Sequence, residues 1–341
     1  MPVESSSWQN LLASTINDPR VLLQRLQLDP DLLDPALAAS SEFALRVPEP
    51  YLARMKPGDP HDPLLRQVLP IGEELRAEPG YQLDPLGEQQ SNQQPGIIHK
   101  YHGRLLLVVS GGCAINCRYC FRRHFPYEDN NLSTAQWQQA LDYIRQDSSL
   151  HEVIYSGGDP LVANDRRLAW LTREIAAIPH VRRLRVHTRL PIVIPQRVTD
   201  SLLDALCGTR LPVTMVLHCN HANEVDQNVA RAMARLRAAG ITLLNQAVLL
   251  RGVNDQLANQ IELSETLGDH GVLPYYLHVL DHVRGAHHFL VDDKEAQALL
   301  GQMLTRLPGF LVPRLVREVA GQPAKVPLRV ELAAITPASV S

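Results

Sequence analysis

Six short apolar, β-rich runs recur through the middle of this chain, at 105–109, 152–155, 184–188, 213–218, 241–249 and 272–279. Stretches with helical spacing lie between them, at 134–146, 165–177, 199–207, 226–239 and 256–269. After the first long gap the runs start about 30 residues apart, the length of a strand–helix unit, which demands parallel strands. Six such units fit a partial (β/α) barrel better than a flat doubly wound sheet. No glycine-rich dinucleotide fingerprint opens the first helix. The predicted fold is therefore α/β, a partial (β/α)6 TIM-like barrel over 96–290. A helical and Pro-rich region is expected over 1–95 and a C-terminal segment over 291–341.

In the N-terminal region Leu12 with Ile16, and Leu22 with Leu26, are spaced as on one helix face, and Asp18-Pro19 marks a second helix start. From Val47 to Gly96 prolines and glycines are too dense for a continuous helix or a central strand. That stretch is expected to wrap over the barrel as a packed layer.

A barrel of this kind collects its functional residues at the C-terminal ends of its strands. The first strand runs into a Ser-Gly-Gly turn and then Cys113, Cys117 and Cys120, three of the five cysteines. The second ends in Ser156, Gly157, Gly158 and Asp159, where glycines permit close backbone approach to a ligand. His187-Thr-Arg189, His218-Cys-Asn220, Asn245-Gln246, then His278 and Asp281, end the next four.

A closed zinc site wants four ligands, and His124, Cys207 or Cys219 could supply a fourth. Three thiolates alone leave one iron of a [4Fe-4S] cluster open to a non-protein ligand. With Tyr119 inside it, the Cys-x3-Cys-x2-Cys spacing resembles the signature of radical S-adenosylmethionine (radical SAM) enzymes. A non-catalytic zinc or iron–sulfur scaffold is the reading from another class.

Composition narrows the setting. A net charge of −3 argues against a general nucleic-acid or acidic-membrane binder. No apolar run reaches the ~20 residues of a membrane span, no signal-peptide pattern opens the chain, and clustered cysteines do not suggest disulfides. The chain is expected to be cytoplasmic, without nucleic-acid or membrane partners. The 33 basic residues include only four lysines, at 56, 100, 294 and 325. Lys56 and Lys294 lie in polar, solvated stretches. Lys325 lies between Pro323 and Pro327 in otherwise apolar sequence, where a dry, restrained amine would form a Schiff base.

Longer stretches carry a more specific resemblance. Phe43-Ala-Leu-Arg-Val-Pro48, Glu-Pro-Gly-Tyr at 78–81, Asp-Pro-Leu-Gly-Glu at 84–88 and His99-Lys-Tyr-His-Gly-Arg104 are part of it. So are the cysteine loop with Arg122-Arg123, Leu190-Pro with Pro195-Gln-Arg197, His218-Cys-Asn-His-Ala-Asn-Glu224, 245–255 and Pro274-Tyr-Tyr276. Together they resemble the lysine 2,3-aminomutases, and among those the shorter members that make (R)-β-lysine for elongation factor P.

The resemblance implies an isomerase that moves an amino group on L-lysine. It implies that Cys113, Cys117 and Cys120 hold a [4Fe-4S] cluster, with Tyr119, Ser156, Gly157, Gly158, Asp159, His218 and Gln246 around S-adenosyl-L-methionine. Lys325 would carry pyridoxal 5′-phosphate, with Tyr101, Arg104 and Lys100 at its phosphate. Arg122 would take the substrate carboxylate, and Asp281 with Glu318 the far ammonium. Two acids there speak against an aminomutase of glutamate. An electron donor such as flavodoxin or ferredoxin, and a lysyl ligase acting on elongation factor P, are the implied partners. Glu318 departs from the family's aspartate, which would shorten the pocket by one methylene. No cysteine follows Lys325, and Gln256 replaces a partner ligand, so the family's zinc site and its oligomeric assembly are not carried over.

Overall fold

The computed structural model of the protein describes residues 7–130 and 132–330. The end of the segment expected over 291–341 lies outside the described residues, as do the first six residues of the region expected over 1–95. Strand β1 (Ile97–Tyr101) turns through Gly103, at φ 75°, into β2 (Arg104–Ser110) and pairs with it antiparallel. β3 (Glu152–Gly157), β4 (Arg183–Thr188), β5 (Val213–Leu217), β6 (Thr242–Val248), β7 (Leu273–His278) and β8 (Arg314–Arg317) then add in parallel. A short β9 (Val326–Pro327) closes on β8 antiparallel. The nine strands lie in chain order.

That order decides the architecture. Consecutive right-handed crossovers put every connecting helix on the same face, so the sheet curls into a barrel wall. A doubly wound sheet would reverse direction at a switch point, and this one does not. The six predicted units are present, and β8 extends the parallel run past them.

The helices begin where their caps stand. Ser133, Asn164, Thr199, Asp226 and Asp292 each accept a backbone N–H of the following first turn. Thr134–Gln146 shows how the helices pack: Trp137, Ala140, Leu141 and Ile144 are its buried face. Removing a buried leucine side chain such as Leu141 would cost about 2–5 kcal/mol. One apolar core joins Trp8 and Leu22 of the N-terminal region to Val153, Leu184 and Leu315 of the barrel.

Asp18 caps the helix Pro19–Arg25 as expected, with proline in its first turn. The proposed Leu12/Ile16 face is corrected. The first helix stops at Ala13, and Ile16 instead makes an antiparallel bridge to Val47, at 2.8 and 2.9 Å. A β-branched residue with an extended partner at hand gains more from that pairing than from a further helical turn. The Pro-rich stretch folds as short turns of helix and brings Tyr51, Gln67, Glu74 and Glu88 to the mouth of the barrel.

Candidate active site

The cysteine loop is anchored before it begins. A side chain on Gly157, at φ +123°, would place Cβ 2.3 Å from the Ser110 carbonyl oxygen. One on Gly158 would meet the Gly112 oxygen at 2.5 Å. The close approach expected of a ligand is made here by main chain: the two strand ends nest against each other. Beyond the turn, Arg118 forks onto Glu74 at 2.8 and 2.6 Å, and Arg123 reaches the same carboxylate at 2.9 Å. Both guanidiniums lie over the Phe43 ring. Buried bidentate pairs of this kind fix orientation as well as adding energy.

Cys113, Cys117 and Cys120 carry free thiols and open on one cavity of about 720 Å³. Burial, followed by the neighbouring Cys117, pushes the Cys120 thiol up to about 12, and burial, followed by Cys120, raises Cys113 well above the ordinary thiol range. Such thiols surrender their protons to a metal, not to water. None of the three residues weighed as a fourth ligand lines the cavity with them. His124 turns to the Arg284 carbonyl at 3.4 Å, Cys219 is buried on the His221 carbonyl, and Cys207 ends the helix Asp200–Cys207. Three thiols on one cavity suit a cluster with one iron left open, and none of the nominated fourth ligands joins them to close a zinc site.

All the other candidate residues line this same cavity: Lys100, Tyr101, Arg104, Tyr119, Arg122, Ser156 through Asp159, His218, Gln246, Asp281, Glu318 and Lys325. Several are already engaged. The Asp159 carboxylate accepts from Thr188 Oγ1 at 2.7 Å and from the amides of Arg189, Leu190 and Leu161 at 2.8, 2.9 and 3.0 Å. It pins β3 to the end of β4 while lining the cavity. His218 Nε2 and Gln246 Nε2 lie 2.9 Å apart. Burial pushes His218 and His278 down to about 3 and His187 well below its usual value, so three imidazoles face the cavity uncharged. The Nε2 atoms of His187 and His278 are buried without a partner, as in a chamber shaped for a polar ligand.

A chain of alternating charges crosses the chamber. Arg122 forks onto Glu88 at 2.6 and 2.8 Å and also donates to Ser156 Oγ at 2.9 Å. Lys100 bridges Glu88 at 3.2 Å and Glu318 at 3.1 Å. Lys325 Nζ ends the chain on Glu318 Oε2 at 2.5 Å. Arg104 lies over the Tyr101 ring at 4.6 Å, and burial, followed by Glu318, raises the Tyr101 hydroxyl. The dry surroundings expected for Lys325 are corrected. Its neighbours Ala324 and Val326 are exposed, and the amine is held by a carboxylate and the Tyr276 ring instead of by apolar packing.

In the sequence Glu88 is only the end of a motif, and its partners Arg122 and Lys100 are not its sequence neighbours. Arg189 and Asn220 were visible as polar strand ends without a role, and both prove to bind the Tyr119 hydroxyl at 2.7 Å.

A curled parallel wall with a three-thiol loop at the end of its first parallel strand defines a radical SAM enzyme, and residues 107–262 match the Radical SAM superfamily. Such a domain uses S-adenosylmethionine and an iron–sulfur cluster. The chain is 52% identical over 326 residues to L-lysine 2,3-aminomutase of Escherichia coli K12, covering 95% of each. It is 50% identical to the Haemophilus influenzae protein of that name, over 94% of this chain and 95% of the other. With the Clostridium subterminale protein the identity is 35%, over 82% of this chain and 67% of the relative. The chain belongs to the lysine 2,3-aminomutase family and is an isomerase of the aminomutase type.

Proposed function

We propose that this enzyme converts L-lysine to (R)-β-lysine, with pyridoxal 5′-phosphate on Lys325. The observation that carries the reading is one chamber holding three thiols, an amine on Lys325, a forked guanidinium and two acids. Relatives named for lysine 2,3-aminomutation add to it.

When bound, the cluster and S-adenosylmethionine supply a hydrogen-abstracting radical, and pyridoxal phosphate supplies the π-system that carries the migrating nitrogen. In the net change a C–N bond moves from Cα to Cβ and a hydrogen from Cβ to Cα, with no overall oxidation. The chain's own residues bind and orient. Arg104, Tyr101 and Lys100 are suited to a phosphate, and a fixed guanidinium best of all. Arg122, whose fork is held by Glu88 in this state, would exchange that carboxylate for the substrate's. Asp281 and Glu318 select a far ammonium over a neutral or acidic side chain. The uncharged imidazoles supply polar contacts without adding charge.

The same reading places the protein in the cytoplasm, supplied with electrons by a flavodoxin or ferredoxin. Its product would serve a lysyl ligase that modifies elongation factor P. No helix among the described residues is long and apolar enough to cross a membrane.

The test is anaerobic turnover of L-lysine with S-adenosylmethionine and a reductant, with the product resolved by chiral chromatography. Borohydride should fix a pyridoxyl group on Lys325, located by peptide mapping. A protein that cleaves S-adenosylmethionine but leaves lysine untouched, with no reducible adduct, would sink the reading.

A further inference from the structure

Arg189, at the end of β4, is only 6% exposed, yet its guanidinium is shared among five side chains. Nη1 donates to Cys117 Sγ at 2.6 Å and to Tyr119 Oη at 2.7 Å. Nη2 donates to Gln67 Oε1 at 2.7 Å, Glu224 Oε2 at 2.9 Å and Tyr51 Oη at 3.1 Å. The Tyr51 and Tyr119 rings also lie against it, at 5.4 and 5.7 Å. Glu224 is itself fully buried and fixed by the amides of Asn220 and His221, at 2.9 and 3.2 Å, and by Gln67 Nε2 at 3.2 Å. A guanidinium gripped from several directions cannot swing aside. Among the described residues, Cys117 is the cysteine of the loop that receives such a donor.

We propose that Arg189 is a positioning residue of the iron–sulfur site. It orients Cys117 and, through a charge-assisted hydrogen bond to its sulfur, raises the reduction potential of the cluster. Hydrogen bonds to ligand sulfurs and net local charge are among the factors that set cluster potentials, and outer-shell partners tune what the direct ligands do. A positive donor stabilises the reduced cluster more than the oxidised one, because reduction adds negative charge beside it. In a buried setting that interaction is weakly screened. The pattern also makes Cys117 electronically distinct from Cys113 and Cys120. Because Tyr51 and Gln67 belong to the Pro-rich stretch, that stretch contributes to the electrostatics of the cluster as well as to packing.

The inference needs the cluster alone, so it stands or falls separately from the lysine reading. Full-length chain is reconstituted anaerobically as wild type, Arg189→Lys and Arg189→Gln. Iron and sulfide are counted, and midpoint potentials are read by EPR-monitored titration without S-adenosylmethionine. Arg189→Gln should load as much iron as wild type, and its reduction equilibrium should fall about tenfold or more, about 59 mV for one electron. Arg189→Lys should recover part of that, since it restores the charge but not the fork. Fully loaded variants with the wild-type potential overturn the proposal. If the variants take up no iron, reduced wild type labelled with ¹⁵N-arginine decides. With the label confined to the guanidinium nitrogens, pulsed EPR should show a coupling that persists in Arg122→Lys and Arg123→Lys, and its absence overturns the proposal.

Discussion

Lys325 Nζ sits 2.5 Å from Glu318 Oε2, and the other oxygen of that carboxylate is held by Lys100 at 3.1 Å. Burial works against the Glu318 charge, but Lys325 and Lys100 outweigh it and hold the carboxyl well below its usual range. The acid proposed for the substrate ammonium thus spends the resting state neutralising the amine proposed for the cofactor.

Glu318→Gln should therefore destabilise the resting protein by about 3 kcal/mol near neutral pH, because it leaves the Lys325 amine without its carboxylate, while Lys100 keeps Glu88. A depressed carboxyl pKa contributes stability that is complete above the ordinary carboxylate range and erodes as pH falls below it. Urea unfolding of wild type and variant should accordingly differ most at neutral pH and converge in acid. A gap that grows as pH falls would contradict the assignment.

Asp281 runs the other way. Burial, followed by the Glu318 charge, pushes it up to about 7. An acid with a raised pKa costs the fold stability as pH climbs from the ordinary carboxylate range to about 7, and nothing further above that. Binding of a cation wants the ionised form, so KM for lysine should fall as pH rises through about 7. Asp281→Asn should flatten that profile and lower kcat/KM by an amount equivalent to about 2–5 kcal/mol.

Gly157→Ala should strip the enzyme of iron. A methyl group 2.3 Å from the Ser110 carbonyl, at φ +123°, forces apart the strand end that launches the cysteine loop. Iron and sulfide counts after reconstitution read the loss directly. Gly240→Ala, where φ is +82° and nothing lies within 4 Å, should keep its cluster and lose only stability.

Arg197 offers a purely structural contrast. Fully buried, it donates to the Leu161 and Ala163 carbonyls at 2.7 and 3.2 Å and to Asp165 at 2.6 Å, with its guanidinium 4.3 Å from the Trp8 ring. Arg197→Met should cost about 3–5 kcal/mol in urea unfolding, since it orphans buried carbonyls and a carboxylate. The turnover of whatever fraction stays folded should not change.

The barrel was legible because each unit announces itself twice, by an apolar strand and by a following stretch with apolar residues at helical spacing. β8 was not, because Arg314–Arg317 puts a charged residue at each end of a four-residue strand and follows Pro313. The candidate site was legible where chemistry is scarce: three clustered cysteines, and one lysine of four between prolines. Its environment was not. The side-chain partners of Lys325 are Glu318, seven residues earlier, and Tyr276 on another strand, while the flanking residues that suggested a dry pocket face solvent. Glu88 shows the same limit, since an acid in a turn says nothing about which distant guanidinium will fold onto it.

The sheet has two ends, and they finish close together. Lys100 lies on β1, Glu318 just past β8, and their ion pair joins two strands that share no pairing. Everywhere else the wall is stitched by ladder hydrogen bonds; along this one line charges fasten it. A fastening of charges is one that another ion can exchange for, whereas a ladder must be torn. The line proposed to receive a phosphate and an ammonium is therefore also the one part of this fastening that a bound ion would compete for.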